Sequence, residues 1–264
     1  MLARLDQRTF LSQERKGEKK GAFAGLRSVL SSMSIQRGYT VVKVRNYGKD
    51  GEEVLAEVSW SYVSPVRSKS GVGLPDREAS VARAVRRAKA EVRRKVMAAG
   101  LNYLLTLTWR ENMQDAAEAD RAFRRFVVLV QRHIPGWKYV AVRERQKRGA
   151  WHWHVAVEGW QDVVLLRRLW REVVGDGNID VSRSRRGKWK RSSLASYLAK
   201  YITKHCEVEF GKHRYRASRI VVPLVRRVID GVVTVEDVIG ILVREAGKVG
   251  YVWLSDGMGW CCSW

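Results

Sequence analysis

The sequence predicts an α+β protein built on a central antiparallel sheet with helices packed on one side. Three observations lead there. Between Leu101 and Cys206 the hydrophobic pattern switches between period two and period 3.6 in the order β-α-β-β-α-β-α. Ahead of it, Tyr39 to Val63 reads as a β-hairpin: two runs rich in β-branched and aromatic residues flank Asn-Tyr-Gly-Lys-Asp-Gly. With 264 residues, 45% of them hydrophobic, the chain can bury a full core. Four segments follow from these patterns: a basic N-terminal arm at 1–35, a hairpin plus basic helix at 36–100, a catalytic core at 101–206 and a C-terminal extension at 207–264.

Each element has a local reason. Asp76 is a good N-cap for a basic helix running to Ala99, which Gly100 closes. Its apolar positions Val81, Val85, Ala88, Val92 and Val96 keep the helical period, and arginines fill much of the remainder. Leu101 to Trp109 reads as a buried strand. Asp115 and Glu118 form a capping-box signature for a helix to about His133, with Phe123, Phe126, Val127 and Val130 as its apolar stripe. Strands at Lys138 to Arg145 and Ala150 to Glu158 flank a turn at Lys147 to Gly149. A helix from about Asp162 to Val174 and a short strand near Asn178 to Val181 lead to a last helix at Ser192 to Cys206. Farther on, Thr234 and Asp237 open a helix that ends near Gly247, and Tyr251 to Trp264 reads as a final β-rich element.

Composition names the partner class. Fifty Lys and Arg against 27 Asp and Glu give a net charge of +23 and a pI near 10.4, which suits a polyanion bound with counterion release. A membrane surface fits poorly: there is no apolar run of about 18 residues and no basic helix with an aromatic underside. The first twenty residues lack the apolar region of a secretory signal, and an odd cysteine count (Cys206, Cys261, Cys262) suits reduced thiols. The expectation is a soluble cytoplasmic protein.

Two constellations carry chemistry. In Trp151-His152-Trp153-His154 the period of two puts both imidazoles on one strand face and both indoles on the other. A hairpin centred on Arg148 sets Glu144 opposite His152 and Val142 opposite His154, so Glu144 shares the histidine face. Two imidazoles and a carboxylate make a three-ligand site with open positions for a borderline divalent ion, Mn or Mg. The second constellation is Ala195-Ser-Tyr-Leu-Ala-Lys-Tyr-Ile-Thr-Lys204, in which Tyr197, Lys200, Tyr201 and Lys204 stand at i, i+3, i+4 and i+7 on one helix face. Alone, it would read as an amphipathic helix with half-buried rings and snorkelling lysines. Beside the metal hairpin it reads as a nucleophile helix.

In these motifs the chain resembles rolling-circle replication initiators of the HUH endonuclease superfamily, named for its His-hydrophobe-His motif. Leu105-Thr106-Leu107-Thr108 is similar to the family's first motif, His152-Trp153-His154 to the second, and Tyr197-x3-Tyr201 with its lysines to the third, over residues 101 to 206. The doubled tyrosine is the form found in initiators of small single-stranded DNA phages and some plasmids. The resemblance implies an HUH/RRM-like β-α-β-β-α-β core and metal-assisted transesterification on single-stranded origin DNA. It further implies a 5′-phosphotyrosine, a free 3′-hydroxyl that primes synthesis, and later rejoining of ends. Lys200 or Lys204 would stabilise the phenolate or the transition state. It also implies a phage- or plasmid-encoded protein in a bacterial host, working with the host helicase and polymerase. No Gly-x4-Gly-Lys-Ser/Thr loop is present, so unwinding would fall to that separate helicase.

A basic run before the tyrosine helix, Arg183, Arg185, Arg186, Lys188, Lys190 and Arg191 with Trp189 among them, suits a single strand that stacks on an aromatic ring; the bland alternative is a solvated loop. Other function classes stay open at this stage. They are a transposase or relaxase of the same superfamily, a zinc hydrolase using Glu144, His152 and His154, and a non-catalytic nucleic-acid-binding module.

Overall fold

The computed structural model describes residues 38–50, 53–64, 76–182, 189–204, 214–246, 251–255 and 258–263. The basic arm expected at 1–35 lies outside the described residues. The chain divides into two units, one of Val72–Val222 and one formed by the hairpin together with residues from Pro223 onward. This division replaces the segments 36–100 and 207–264 expected from the sequence. Strand pairing is the reason: β1 (Tyr39–Asp50) and β2 (Glu53–Val63) pair with each other, and their outer edges take up β8 (Val225–Asp230) and the hairpin of β9 (Tyr251–Ser255) and β10 (Met258–Ser263), in the order β8-β1-β2-β10-β9.

In that unit α5 (Val235–Ala246) packs its Val238 and Ile241 on Val42, Val44, Ala56 and Val58 of the hairpin. The Thr234 and Asp237 side chains cap each other's backbone N–H groups at its start, at 3.2 and 2.9 Å. Glu57 is fully buried in the sheet, and the Tyr47 hydroxyl and Arg45 guanidinium donate to its carboxylate at 2.8 and 3.4 Å. Those partners offset the cost of taking the charge out of water.

The larger unit is built on β3 (Tyr103–Trp109), β4 (Tyr139–Arg145), β5 (Trp151–Val157), β6 (Gly177–Ser182) and the short β7 (Arg216–Ala217). All neighbours are antiparallel, in the order β6-β3-β5-β4-β7. With α2 (Ala116–His133) and α3 (Val163–Val174) as its crossovers, this is the expected β-α-β-β-α-β core. Both crossover helices share one face, where Phe123, Phe126, Leu166, Leu169 and Trp170 meet Leu105, Leu107, Trp153, Val155 and Ile179. The other face carries α1 (Arg77–Ala98) and α4 (Arg191–Lys204), whose Val85, Val92, Leu194 and Leu198 cover Leu104, Val140, Val142 and Ala156. The basic helix and the tyrosine helix therefore lie together across the sheet from the core's own helices.

Local chemistry sets the ends of these helices. Asp76 accepts from the Glu78 N–H at 3.0 Å, and Asp115 from the Ala117 and Glu118 N–H groups at 2.7 and 3.2 Å. At the other end of α1, Gly100 (φ 67°) turns the chain so that the Leu101 N–H reaches Val96 O and the Gly100 N–H reaches Met97 O, at 3.1 and 3.3 Å, a Schellman closure.

Gly177 starts β6 in a tight place. A Cβ there would come within 2.7 Å of the Thr108 carbonyl oxygen and of Trp170 Nε1, which themselves form a 2.9 Å hydrogen bond. Gly177→Ala is expected to lower stability by about 1–3 kcal/mol through this overpacking. A urea midpoint equal to wild type would refute it.

Candidate nucleic-acid cleavage site

The site lies on the α1/α4 face of the larger sheet. Alternation along β5 turns Trp153 into the opposite core, 1% exposed, and leaves His152 and His154 on this face, each 6% exposed. The β4–β5 register pairs Glu144 with His152 and Val142 with His154, as a hairpin centred on Arg148 requires. The turn closes through a 2.8 Å bond from the Gly149 N–H to Gln146 O, with Gly149 at φ 90°.

The two imidazoles are held differently. His154 Nε2 lies 2.7 Å from Glu144 Oε2, and its Nδ1 lies 3.3 Å from the Thr106 hydroxyl on β3. A ring that donates from Nε2 to the carboxylate accepts from Thr106 at Nδ1. His152 Nδ1 lies 3.0 Å from the Gln146 amide, while its Nε2 is buried with no hydrogen-bond partner. Burial, then the neighbouring His154 and Arg148, push the His152 pKa down to about 4 against a smaller upward pull from Glu144. The ring is neutral at physiological pH and keeps a lone pair to give.

Helix α4 brings the phenols to this surface. Leu194, Ala195, Leu198 and Ile202 anchor one side of it, and the Arg191 guanidinium donates to Met97 O at 3.2 Å, tying its start to the end of α1. Tyr201 stacks on His154 with ring centroids 4.3 Å apart and planes 18° from parallel; Tyr197 stands edge-on to the same imidazole at 6.1 Å. The two hydroxyls are 2.6 Å apart, Tyr201 donating to Tyr197. Burial foremost, then this hydrogen bond, raise the Tyr201 pKa well above that of a free phenol.

The remaining expected residues fall out as follows. Lys200 is exposed on α4, next to Tyr201; Lys204 ends the helix, and its side chain lies outside the described residues, as do Arg183, Arg185, Arg186 and Lys188. Trp189 is half-buried, tilted against Tyr197 at 5.4 Å, and its indole N–H donates to Ser182 O at 3.1 Å. Lys190 is exposed, whereas Arg191 is 8% exposed. The DNA contact expected of Arg191 is thereby corrected: its guanidinium is used inside the protein to join two helices. Gln146 is a site residue that the sequence motifs do not mark. Period two from Glu144 places it on the histidine face, and that alternation was the only signal for it.

Glu144, His152 and His154 suit a divalent cation in donor chemistry, and the orphaned His152 Nε2 fits a missing ligand. The 2.7 Å between Glu144 and His154 is close to the roughly 2.9 Å edge of an octahedral site with bonds of 2.0–2.1 Å. Among the described residues, however, no three His, Cys, Asp or Glu side chains are gathered tightly enough to hold a metal ion as they stand. Contacts from Thr106 and Gln146 would orient both rings toward such an ion. Gln146→Ala is therefore expected to weaken Mn²⁺ binding, read by calorimetry, by about 10–100-fold. Unchanged affinity would show that Gln146 has no such role.

Residues 102–206, less than half of the chain, match the family model of the replication-associated protein ORF2. That match supports a replication protein of the initiator kind. Among solved structures, the chain is similar to the hypothetical protein ORF119 from Sulfolobus islandicus rod-shaped virus 1, at 12% identity and a TM-score of 0.31, over 47% of this chain and 97% of that one. No curated protein matches. Among the described residues no helix is long and apolar enough to cross a membrane.

Proposed function

We propose that this protein is a rolling-circle replication initiator that nicks single-stranded origin DNA through a tyrosine and later rejoins the ends. The observation that carries the reading is the seating of both Tyr197 and Tyr201 on His154, with their hydroxyls in contact, directly above the Glu144–His154 pair. The replication-associated family match over the same residues agrees with it.

In this reading a tyrosine oxygen attacks the scissile phosphorus, the bond from phosphorus to the 3′ oxygen breaks, and the proton lost by the phenol ends on that 3′ oxygen. One phosphodiester replaces another, so no nucleotide is consumed. A Mn or Mg ion held by Glu144, His152 and His154 would offset the charge building on the phosphate. Thr106 and Gln146 keep the imidazole rings oriented. Tyr201, donating to Tyr197, stabilises negative charge on the Tyr197 oxygen, and Lys200 and Lys204 supply cations along the same helix. Two tyrosines allow one to hold a 5′ end while the other cuts the next copy. The host helicase and polymerase would unwind and extend the product in the bacterial cytoplasm.

The test is incubation with Mn²⁺ or Mg²⁺ and single-stranded DNA carrying the candidate origin of the protein's own replicon, followed by a denaturing gel. The expected result is a covalent adduct that a chelator abolishes. Tight DNA binding with no adduct under any metal would leave a non-catalytic binding module instead.

A further inference from the structure

We infer that the outward face of α1 is a track for the single-stranded DNA flanking the cleaved phosphate, gripped by Arg83, Arg86 and Arg87. This rests on the reading of the neighbouring site as DNA-nicking. Helix α1 turns Val85, Ala88, Val92 and Val96 toward α4 and the sheet, so it lies on the same side of the sheet as the tyrosines. Its opposite side exposes Arg83, Arg86 and Arg87. They stand at i, i+3 and i+4, a spacing at which like charges repel and destabilise the helix that carries them.

Elsewhere in the unit, buried and half-buried arginines have internal work. Arg143 and Arg216 both pair with Asp120 at 3.2 Å, and Arg121 pairs with Glu118 at 2.7 Å. On α1, Glu91 is taken by Arg94 at 3.0 Å, and Arg83 reaches only the Ser80 hydroxyl, at 2.9 Å. Arg86 and Arg87 make no ion pair among the described residues. Three adjacent guanidiniums without a carboxylate are complementary to a phosphate backbone, which would relieve their mutual repulsion. The strand held at the tyrosines has to leave the site on one side, and α1 is the helix packed beside them. Arg124, Arg125 and Arg132 of α2 are also exposed, but α2 covers the opposite sheet face. They form a matched control, since their removal takes away the same charge.

The experiment compares Arg83→Gln/Arg86→Gln/Arg87→Gln with Arg124→Gln/Arg125→Gln/Arg132→Gln. Glutamine at exposed helix positions keeps helix propensity close to that of arginine. Affinity for a long oligo-dT strand is measured over a salt series, along with affinity for an oligonucleotide just spanning the nick. The α1 triple is expected to lower the slope of log affinity against log salt by up to about 2, at roughly 0.7 per phosphate contact on single strands. It should also lose the affinity gained by the longer strand, while the α2 triple keeps both. Equal losses in the two triples would reduce the effect to overall charge and overturn the track, as would an unchanged slope in the α1 triple or losses confined to duplex DNA. Binding is read without cleavage. Absence of any covalent adduct would therefore count against the nicking reading alone, and the salt slopes would still decide the track.

Discussion

A chain carrying both Tyr197→Phe and Tyr201→Phe is expected to form no covalent adduct with single-stranded DNA while binding it about as tightly as wild type. Phenylalanine keeps both rings and their contacts with His154, so the surface keeps its shape and loses only two oxygens. Those oxygens touch each other at 2.6 Å, so each single variant should behave differently from the pair. Tyr201→Phe removes the donor to the Tyr197 oxygen, and Tyr197→Phe leaves Tyr201, half-buried against His154, as the sole nucleophile. Each is expected to retain some adduct, in unequal amounts. A gel assay with matched binding curves checks this. Residual adduct in the double variant would place the nucleophile elsewhere.

The second large effect is on stability. Trp153→Ala should lower the unfolding free energy by about 3–5 kcal/mol. The indole is 1% exposed, stacks on Phe123 at 4.2 Å, and donates to Ala119 O at 3.1 Å, so it joins β5 to α2. Alanine would open a cavity between sheet and helix directly beneath the strand that carries both histidines. Denaturant unfolding measures the loss, and a decrease under about 1 kcal/mol would mean that the core closes over the gap.

Much of the site was legible because it depends on short-range periodicity. Alternation in Trp151-His152-Trp153-His154 assigns each side chain to a face, and the turn at 147–149 sets the register that brings Glu144 opposite His152. Spacing of three and four puts Tyr197 and Tyr201 on one helix side. What periodicity cannot say is which face of the sheet a later helix returns to. The placement of α1 and α4 on the histidine side is therefore a structural finding, and so is the conversion of Arg191 from an expected DNA contact into a buried bond to Met97 O. The hairpin at 39–63 looked like a neighbour of the basic helix because the two are adjacent in sequence. Its true partners are strands near residues 225 and 260, pairings set by burial of Val42, Val44, Ala56 and Val58 under a distant helix. Gln146 escaped notice because a neutral amide at a strand end belongs to no motif, although its strand face was already determined.

The most direct test of the account is to digest the DNA adduct of the wild-type protein with protease and identify the linked residue by mass spectrometry. The account predicts a phosphate-to-tyrosine bond within the peptide containing Tyr197 and Tyr201, attached to a DNA 5′ end. A link through any other residue, or a 3′ attachment, would contradict it.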